Sequence, residues 1–184
     1  MSAITALDFT ILDFIQAHLR TAFGDAVMPV ITALGNSGII WILLALVLLC
    51  IPKCRPLGLT VAAALAVDVI LCNGIIKPLV ARIRPYDINT AVTLIISAPT
   101  DYSFPSGHTA ASFAAVTALG LKKTKWWIPA LVLALLIAFS RLYLYVHYPS
   151  DVLAGVVIGV LAGFAGKFIA DWIIRWREKR KMAH

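Results

Sequence analysis

The chain has 184 residues, of which 61% are hydrophobic and only 14% charged, and its mean hydropathy is +0.91. That balance excludes a soluble globular domain and predicts a single-domain integral membrane protein. The formal net charge of +7 is not a nucleic-acid signature, because the cations gather at the ends of apolar runs, where they encode topology.

The N-terminal stretch MSAITALDFTILDF has no basic n-region and no small-residue cleavage site, and Asp8 and Asp13 interrupt its apolar run. A removable signal peptide is therefore not expected. Residues 7–23 carry Asp8, Asp13, Gln16, His18 and Arg20 among apolar residues at helical spacing, the pattern of an amphipathic helix lying in the membrane interface. A sixth span is the alternative for this segment. Five stretches then read as spans, 26–51, 57–80, 107–121, 127–146 and 152–174, each apolar enough for a bilayer core. The first contains Gly35-Asn36-Ser37-Gly38, which predicts a kink or a late start. The expected fold is all-α: a polytopic bundle of five to six membrane helices, with residues 1–25 as the interfacial segment, 26–176 as the bundle and 177–184 as a basic cytoplasmic tail.

Lys53 and Arg55, then Lys122, Lys123 and Lys125, then Arg175, Arg177, Lys179, Arg180 and Lys181 fall on one side of this arrangement. The positive-inside bias makes that side the cytoplasm of a cell membrane, and Trp126, Trp127, Trp172 and Trp176 form an aromatic belt at the same boundary. Cys50, Cys54 and Cys72 show neither metal-ligand nor disulfide-framework spacing and read as packing residues. Gly155, Gly159 and Gly163 recur every four residues on the last span, which lets a neighbouring backbone approach closely.

Under this topology three polar segments meet at the external ends of spans: KPLVARIRP (77–85), PSGH (105–108) and SRLYLYVHYPSD (140–151). Lys77, Arg82, Arg84 and Arg141 break the positive-inside bias, and a charge at the edge of hydrocarbon needs a partner or a task. Arg82, two residues from Arg84 and free to face elsewhere, reads as snorkelling to the headgroups. The other three, clustered with two histidines, read as an anion site. Pro105 ends the loop, Ser106 is an expected N-cap, and Gly107 lets an anion approach the free amides of the first turn beside His108. His147 and Asp151 stand four apart across a turn, so the carboxylate can hold one ring nitrogen and leave the other as a nucleophile. Taken singly, a capping serine, a capping aspartate or an interfacial histidine would be ordinary; their company points to phosphoryl chemistry.

These residues resemble the type 2 phosphatidic acid phosphatase superfamily, whose signature is Lys, six residues, Arg-Pro; Pro-Ser-Gly-His; and Ser-Arg, five residues, His, three residues, Asp. Lys77, Arg84 and Pro85, then Pro105 to His108, then Ser140, Arg141, His147 and Asp151 fill it without departure. The resemblance implies that Lys77, Arg84, Arg141, the Ser106 hydroxyl and the Gly107 amide hold the phosphoryl oxygens. It also implies that His147 attacks phosphorus, Asp151 orients it, and His108 protonates the leaving oxygen. No metal-ligand set is apparent and no cofactor is expected, since the cations can neutralise the phosphate themselves.

Asp68 lies nine residues before Lys77, roughly 13 Å along a helix, too far for the chemistry, and is expected to make an interhelical hydrogen bond, with a role in substrate access as the alternative. The stretch 107–121 rises only about 21 Å, which places His108 slightly inside the outer boundary and favours a lipid phosphate over a soluble one. The external stretch 86–102 has two open roles, lining the entrance or dipping its VTLII into the interface. The reading is a membrane phosphatase acting on lipid phosphates or pyrophosphates, undecaprenyl pyrophosphate first, with phosphatidylglycerophosphate or phosphatidate as alternatives. A lipid phosphotransferase is the second enzymatic reading, and a lipid-phosphate binding or transport protein the non-enzymatic one. The bilayer is its environment, and the sequence does not specify an oligomeric state.

Overall fold

The computed structural model describes residues 3–182; residues 1 and 2 of the expected N-terminal segment and 183 and 184 of the expected tail lie outside the described residues. The fold is an all-helical bundle. Helix α1 (Ala3–Phe14) continues as a wide π-helical turn, Ile15–Leu19. Thr21 then caps α2 (Ala22–Leu34), its hydroxyl accepting from the Gly24 amide at 3.0 Å, as a short polar side chain at that position does. The Gly-Asn-Ser-Gly stretch forms a 3₁₀ turn with Ser37 at φ 51° and Gly38 at φ +67°. That left-handed backbone separates α2 from α3 (Ile39–Cys50), and the two are bent by 44°. The predicted kink is thus a break between two helices.

Helix α4 (Arg55–Asp68) widens into a π-helix over Val69–Ile76 and ends in the single turn α5 (Lys77–Val80). A further turn, α6 (Pro85–Ile88), leads into an irregular stretch that reaches α7 (Gly107–Leu121). The chain closes with α8 (Trp127–Tyr143) and α9 (Pro149–Met182). Residues 177–182, expected as a tail, continue this last helix.

Among the described residues, two helical stretches are long and apolar enough to cross a membrane, Pro52–Ile88 and Pro149–Arg180, with a third if the bent pair α2 and α3 counts as one. Helix α8 is apolar but shorter. Helix α7 carries Thr109, Ser112 and many alanines, and its buried residues face protein on nearly every side. A helix wrapped by other helices has no need of a lipid-facing surface, which is why five equally apolar spans do not appear.

Helix α9 shows how the bundle closes. A side chain added at Gly155 would stand 2.7 Å from the Ser106 carbonyl oxygen, and one at Gly159 would stand 2.9 Å from Phe113 Cβ. The glycines therefore let the α7 backbone lie directly against α9, as their spacing predicted. Leu153, Val157, Leu161, Phe164 and Phe168 are exposed, forming an outward stripe suited to hydrocarbon. Between α3, α4, α7 and α8 the core is small-residue rich, with Ala64, Ala114, Ala118 and Ala134 packed around Trp41, Leu119 and Ile137. Trp41 adds a buried hydrogen bond, its Nε1–H donating to Ser112 Oγ at 2.9 Å. Cys72 is buried, Cys54 half-buried and Cys50 exposed, and all three are free thiols.

The N-terminal segment lies across the loop that joins α8 to α9. Leu12 packs with Tyr145 and Tyr148, Ile15 packs with Tyr143 and Val146, and Gln16 donates to the Tyr143 carbonyl at 2.8 Å. The apolar part of 86–102 is folded onto the same loop, Leu94, Ile95 and Ile96 packing with Tyr143, Leu144 and Val146. It covers protein, and its next residues, Ile96 to Asp101, form one wall of a cavity.

Candidate active site

The three polar segments converge on a cavity of about 570 Å³ lined by Lys77, Arg84, Asp101, Gly107, His108, Arg141 and His147 among others. They come from several different elements. Lys77 opens α5 after the π-helical segment, Arg84 precedes α6, Gly107 and His108 begin α7, Arg141 ends α8, and His147 sits in the turn before α9. Helix direction explains the meeting, because the C-terminal ends of α5 and α8 and the N-terminal ends of α7 and α9 lie at the same end of the bundle. At the opposite end Lys122 reaches Asp171 at 2.6 Å, tying the close of α7 to the far part of α9.

His147 is enclosed, with 1% of its surface exposed. Its Nε2 lies 3.3 Å from Arg84 Nη1, and since a guanidinium only donates, that ring nitrogen must be the acceptor. The proton therefore belongs on Nδ1, facing Asp151, and the lone pair on Nε2 faces the cavity side. Burial, with Arg141, Arg84 and Lys77 nearby, pushes the imidazole well below its ordinary pKa, so the ring stays neutral. Asp151 Oδ2 stands 3.5 Å from Nδ1, and Nδ1 has no hydrogen-bond partner. The expected contact is thus one of proximity. The same Oδ2 is already held by the Ser103 hydroxyl and by the Tyr148 amide at 2.9 Å.

The cations differ in how they are satisfied. Lys77 Nζ pairs with Asp101 Oδ2, and Arg84 Nη2 pairs with Asp101 Oδ1 at 2.6 Å. Arg84 also donates from Nε to the Asp101 carbonyl at 2.8 Å and from Nη1 to the Val146 carbonyl. Arg141 has no carboxylate partner among the described residues; its Nη1 donates to Thr32 Oγ1 at 2.6 Å, and its Nε has no partner. It is 3% exposed. A buried guanidinium left this way, at the wall of a cavity, keeps a free donor that an anion could take up.

His108 stands between this cavity and a second one of about 640 Å³ lined by Asn36, Asp68, Asn73, Lys77 and Gly107. Its Nε2 is 3.0 Å from Asn36 Oδ1, an acceptor that holds a proton on that nitrogen. Gly107 forms part of both walls, and a side chain there would stand 3.2 Å from Asn73 Oδ1, so glycine keeps the helix start open.

Three expectations are corrected. Ser106 does not cap α7 through its side chain; it is buried, its hydroxyl is 2.9 Å from that of Thr109, and it is not part of the cavity wall. The first-turn amides of α7 are left without that acceptor. Asp68 makes no interhelical hydrogen bond: it is 1% exposed and its Oδ1 has no partner. As the last residue of α4, just before the π-helical segment, it lines the second cavity. Arg82 does not snorkel. Its Nη1 reaches Asp151 Oδ1 at 2.6 Å, its Nη2 reaches Asp8 Oδ2 at 2.8 Å, and it lies over the Tyr148 ring.

Asp101, Thr32 and Asn36 were not anticipated. Asp101 is the most informative, because its carboxylate spans two of the cations expected to hold phosphate. Burial raises its pKa, but Lys77 and Arg84 outweigh that and hold it down to about 2. An acid just before the Pro-Ser-Gly-His turn was the only signal available in sequence.

The family model for the PAP2 superfamily matches residues 56–181. An undecaprenyl-diphosphatase of Sulfolobus acidocaldarius is 33% identical over 68% of this chain and 61% of its own length. A decaprenylphosphoryl-5-phosphoribose phosphatase of Mycobacterium tuberculosis is 37% identical over 70% of this chain and 71% of its own. Among solved structures, a transmembrane PAP2-type phosphatidylglycerolphosphate phosphatase from Bacillus subtilis superposes with a TM-score of 0.75 at 26% identity, covering 94% of this chain and 89% of that one. Matches to several curated relatives span about half to three-fifths of their length.

Proposed function

This chain belongs to the PAP2 superfamily, and on that premise we propose that it is a membrane phosphatase that hydrolyses lipid phosphates or diphosphates through a phosphohistidine on His147. The observation that carries the reading is Arg141, a buried guanidinium without a carboxylate partner among the described residues, beside two histidines at one cavity.

Lys77, Arg84, Arg141 and the Gly107 amide hold the phosphoryl oxygens. His147 Nε2 donates its lone pair to phosphorus, the bond from phosphorus to the leaving oxygen breaks, and His108 gives that oxygen a proton. Water then attacks the phosphohistidine, passing a proton to His108, and the nitrogen–phosphorus bond breaks to release inorganic phosphate. Charge accumulating on the equatorial oxygens meets fixed, buried cations, which stabilise it without reorganising.

A lipid substrate is supported by the space beyond His108. The second cavity shares Ile42, Leu65 and Val69 with a groove of about 480 Å³ whose lining is apolar throughout, between α3 and α4. A headgroup in the first cavity can leave its chain in that groove, within hydrocarbon. Undecaprenyl diphosphate ranks first, since a terminal phosphate in the cradle places the second beside His108 and Lys77. Diacylglycerol phosphates satisfy the same geometry. The cation distribution along the chain supports a reaction on the extracytoplasmic face with the C-terminus in the cytoplasm.

Phosphate release by the purified full chain, measured on undecaprenyl diphosphate, phosphatidate, phosphatidylglycerophosphate and glucose 6-phosphate, tests the reading. The lipids are expected to be cleaved in preference to the sugar phosphate. Equal efficiency on glucose 6-phosphate would contradict the lipid assignment.

A further inference from the structure

Asp8 lies outside the residues matched by the family model, on a helix that the sequence places at the membrane surface. A carboxylate in an apolar interfacial helix should face water. Asp8 is instead 3% exposed, and every bond it makes leads toward the catalytic turn. Its Oδ1 accepts from the Ser150 amide at 2.9 Å, and its Oδ2 accepts from the Ser150 hydroxyl at 2.6 Å and from Arg82 Nη2 at 2.8 Å. Arg82 passes the connection on: its Nη1 donates to Ser150 Oγ at 2.7 Å and to Asp151 Oδ1 at 2.6 Å, and its guanidinium carbon sits 3.8 Å from the Tyr148 ring centroid.

The backbone explains how Arg82 comes to face this way. Ala81 ends α5 in the left-handed region at φ 48°, and the chain reaches Arg84, extended at φ −75° and ψ 154°, just before α6. The Arg82 carbonyl accepts from the Ser103 amide at 2.8 Å, which ties this connection to the stretch before α7. Arg84 points to the cavity and Arg82 to the far side of Asp151.

We infer that Asp8 and Arg82 are positioning residues that hold Asp151, and through it His147, so that the N-terminal helix is a working part of the reaction machinery. The inference rests on the proposed role of His147 as nucleophile. Two effects carry it. Arg82 grips Oδ1, so the carboxylate cannot rotate and Oδ2 stays turned to Nδ1. Arg82 alone would also neutralise Asp151 and weaken its hold on the positive charge that builds on the ring during attack. Asp8 offsets Arg82, leaving the trio of two carboxylates and one guanidinium with a net negative charge facing the imidazole.

That balance gives a signature that a merely structural contact lacks. The other charged or titratable groups facing His147 are Arg84 and Lys77 from the segment around α5, Asp101 from the following stretch, His108 from α7 and Arg141 from α8, and none is altered in the test. Asp8→Asn keeps the shape and removes a charge, so the ring becomes less basic and the acid limb of the kcat profile moves to lower pH. Arg82→Gln frees the charge of Asp151, so the limb moves to higher pH. The Asp8→Asn/Arg82→Gln double variant returns it toward the original position.

The experiment measures kcat and KM against pH for the full chain in detergent, with dioctanoyl phosphatidate as substrate. Each single variant is expected to lose about ten- to a hundredfold in kcat with KM little changed, and the limbs to move in opposite directions. Arg82→Lys, which retains a charge but not the two-pronged grip, is expected to restore the limb and only part of kcat, and it serves if Arg82→Gln fails to fold. Wild-type kcat and an unmoved limb in Asp8→Asn would overturn the inference, as would shifts of the same sign in both single variants. His147→Ala in the same assay separates the two ideas, because retained activity there would sink the nucleophile assignment itself.

Discussion

The two sides of His147 are built on opposite plans. Behind the ring, Asp151 is fully buried and accepts from Arg82, Ser103 and the Tyr148 amide, while Ser150 and Asp8 complete the ring of bonds, so the carboxylates are saturated although His147 Nδ1 itself has no partner among the described residues. In front of it, Arg141 Nε has no partner, the start of α7 has no side-chain cap, and Lys77 and Arg84 share a single half-exposed carboxylate. A saturated network resists motion, whereas an unsaturated one is completed by whatever enters. The rear therefore sets geometry and the front selects charge, and substitutions on the two sides should fail differently.

The largest expected effect lies at the junction. His147→Ala removes the proposed attacking atom, and phosphate release should fall by about four orders of magnitude or more, with the bundle intact by thermal melt. Activity near wild type would erase the distinction between the two sides.

On the open side, Arg141→Ala should cost about 10²- to 10³-fold in kcat/KM, with Tm little changed because few bonds behind the ring depend on it. A variant that unfolded without losing activity per folded molecule would make Arg141 structural. Away from both sides, Gly159→Ala pushes a methyl against Phe113 and the α7 backbone. It should lower stability by about 1–3 kcal/mol, while surviving folded molecules keep their KM. A raised KM at unchanged Tm would show that the α7–α9 seam belongs to the site.

The smallest effect concerns Asp101. If its carboxylate competes with incoming phosphate for Lys77 and Arg84, Asp101→Asn should lower KM, by up to about fivefold for so exposed a pair. A higher KM would mean that Asp101 helps to hold substrate. The pH dependence sharpens the same contrast. In the proposed mechanism His147 is neutral when it attacks, and its pKa is held well below the ordinary value by burial and three cations. The acid limb of kcat/KM should therefore lie below about 6.5, with rate retained from neutrality downward and lost only as pH falls through that depressed value. A limb at or above 6.5 would place the ring in a more open setting.

The open side was the more legible in sequence. Lys77, Arg84, Gly107, His108, Arg141 and His147 announce themselves because charge and turn residues at the ends of apolar helices are conspicuous, and they meet at one cavity. Much of the saturated side stayed hidden. Arg82 looked like one more interfacial cation and Asp8 like the polar face of a surface helix, since pairing between residues 74 apart leaves no local pattern. Ser106 was misjudged for a related reason: an N-cap is the usual partner of a serine there, but Thr109 offered a buried hydroxyl instead. The helices followed the apolar runs well, and the α9 glycines seat α7 as their spacing implied, whereas the composition of α7 reflects enclosure by protein.

The most direct test of the central claim is a rapid-quench measurement on the His108→Ala protein with phosphatidate carrying a radiolabelled phosphate. With the leaving-group acid removed and water activation slowed, an acid-labile phosphoryl group is expected on the protein, absent from a His108→Ala/His147→Ala double variant. Label that persists in the double variant would contradict His147 as the nucleophile.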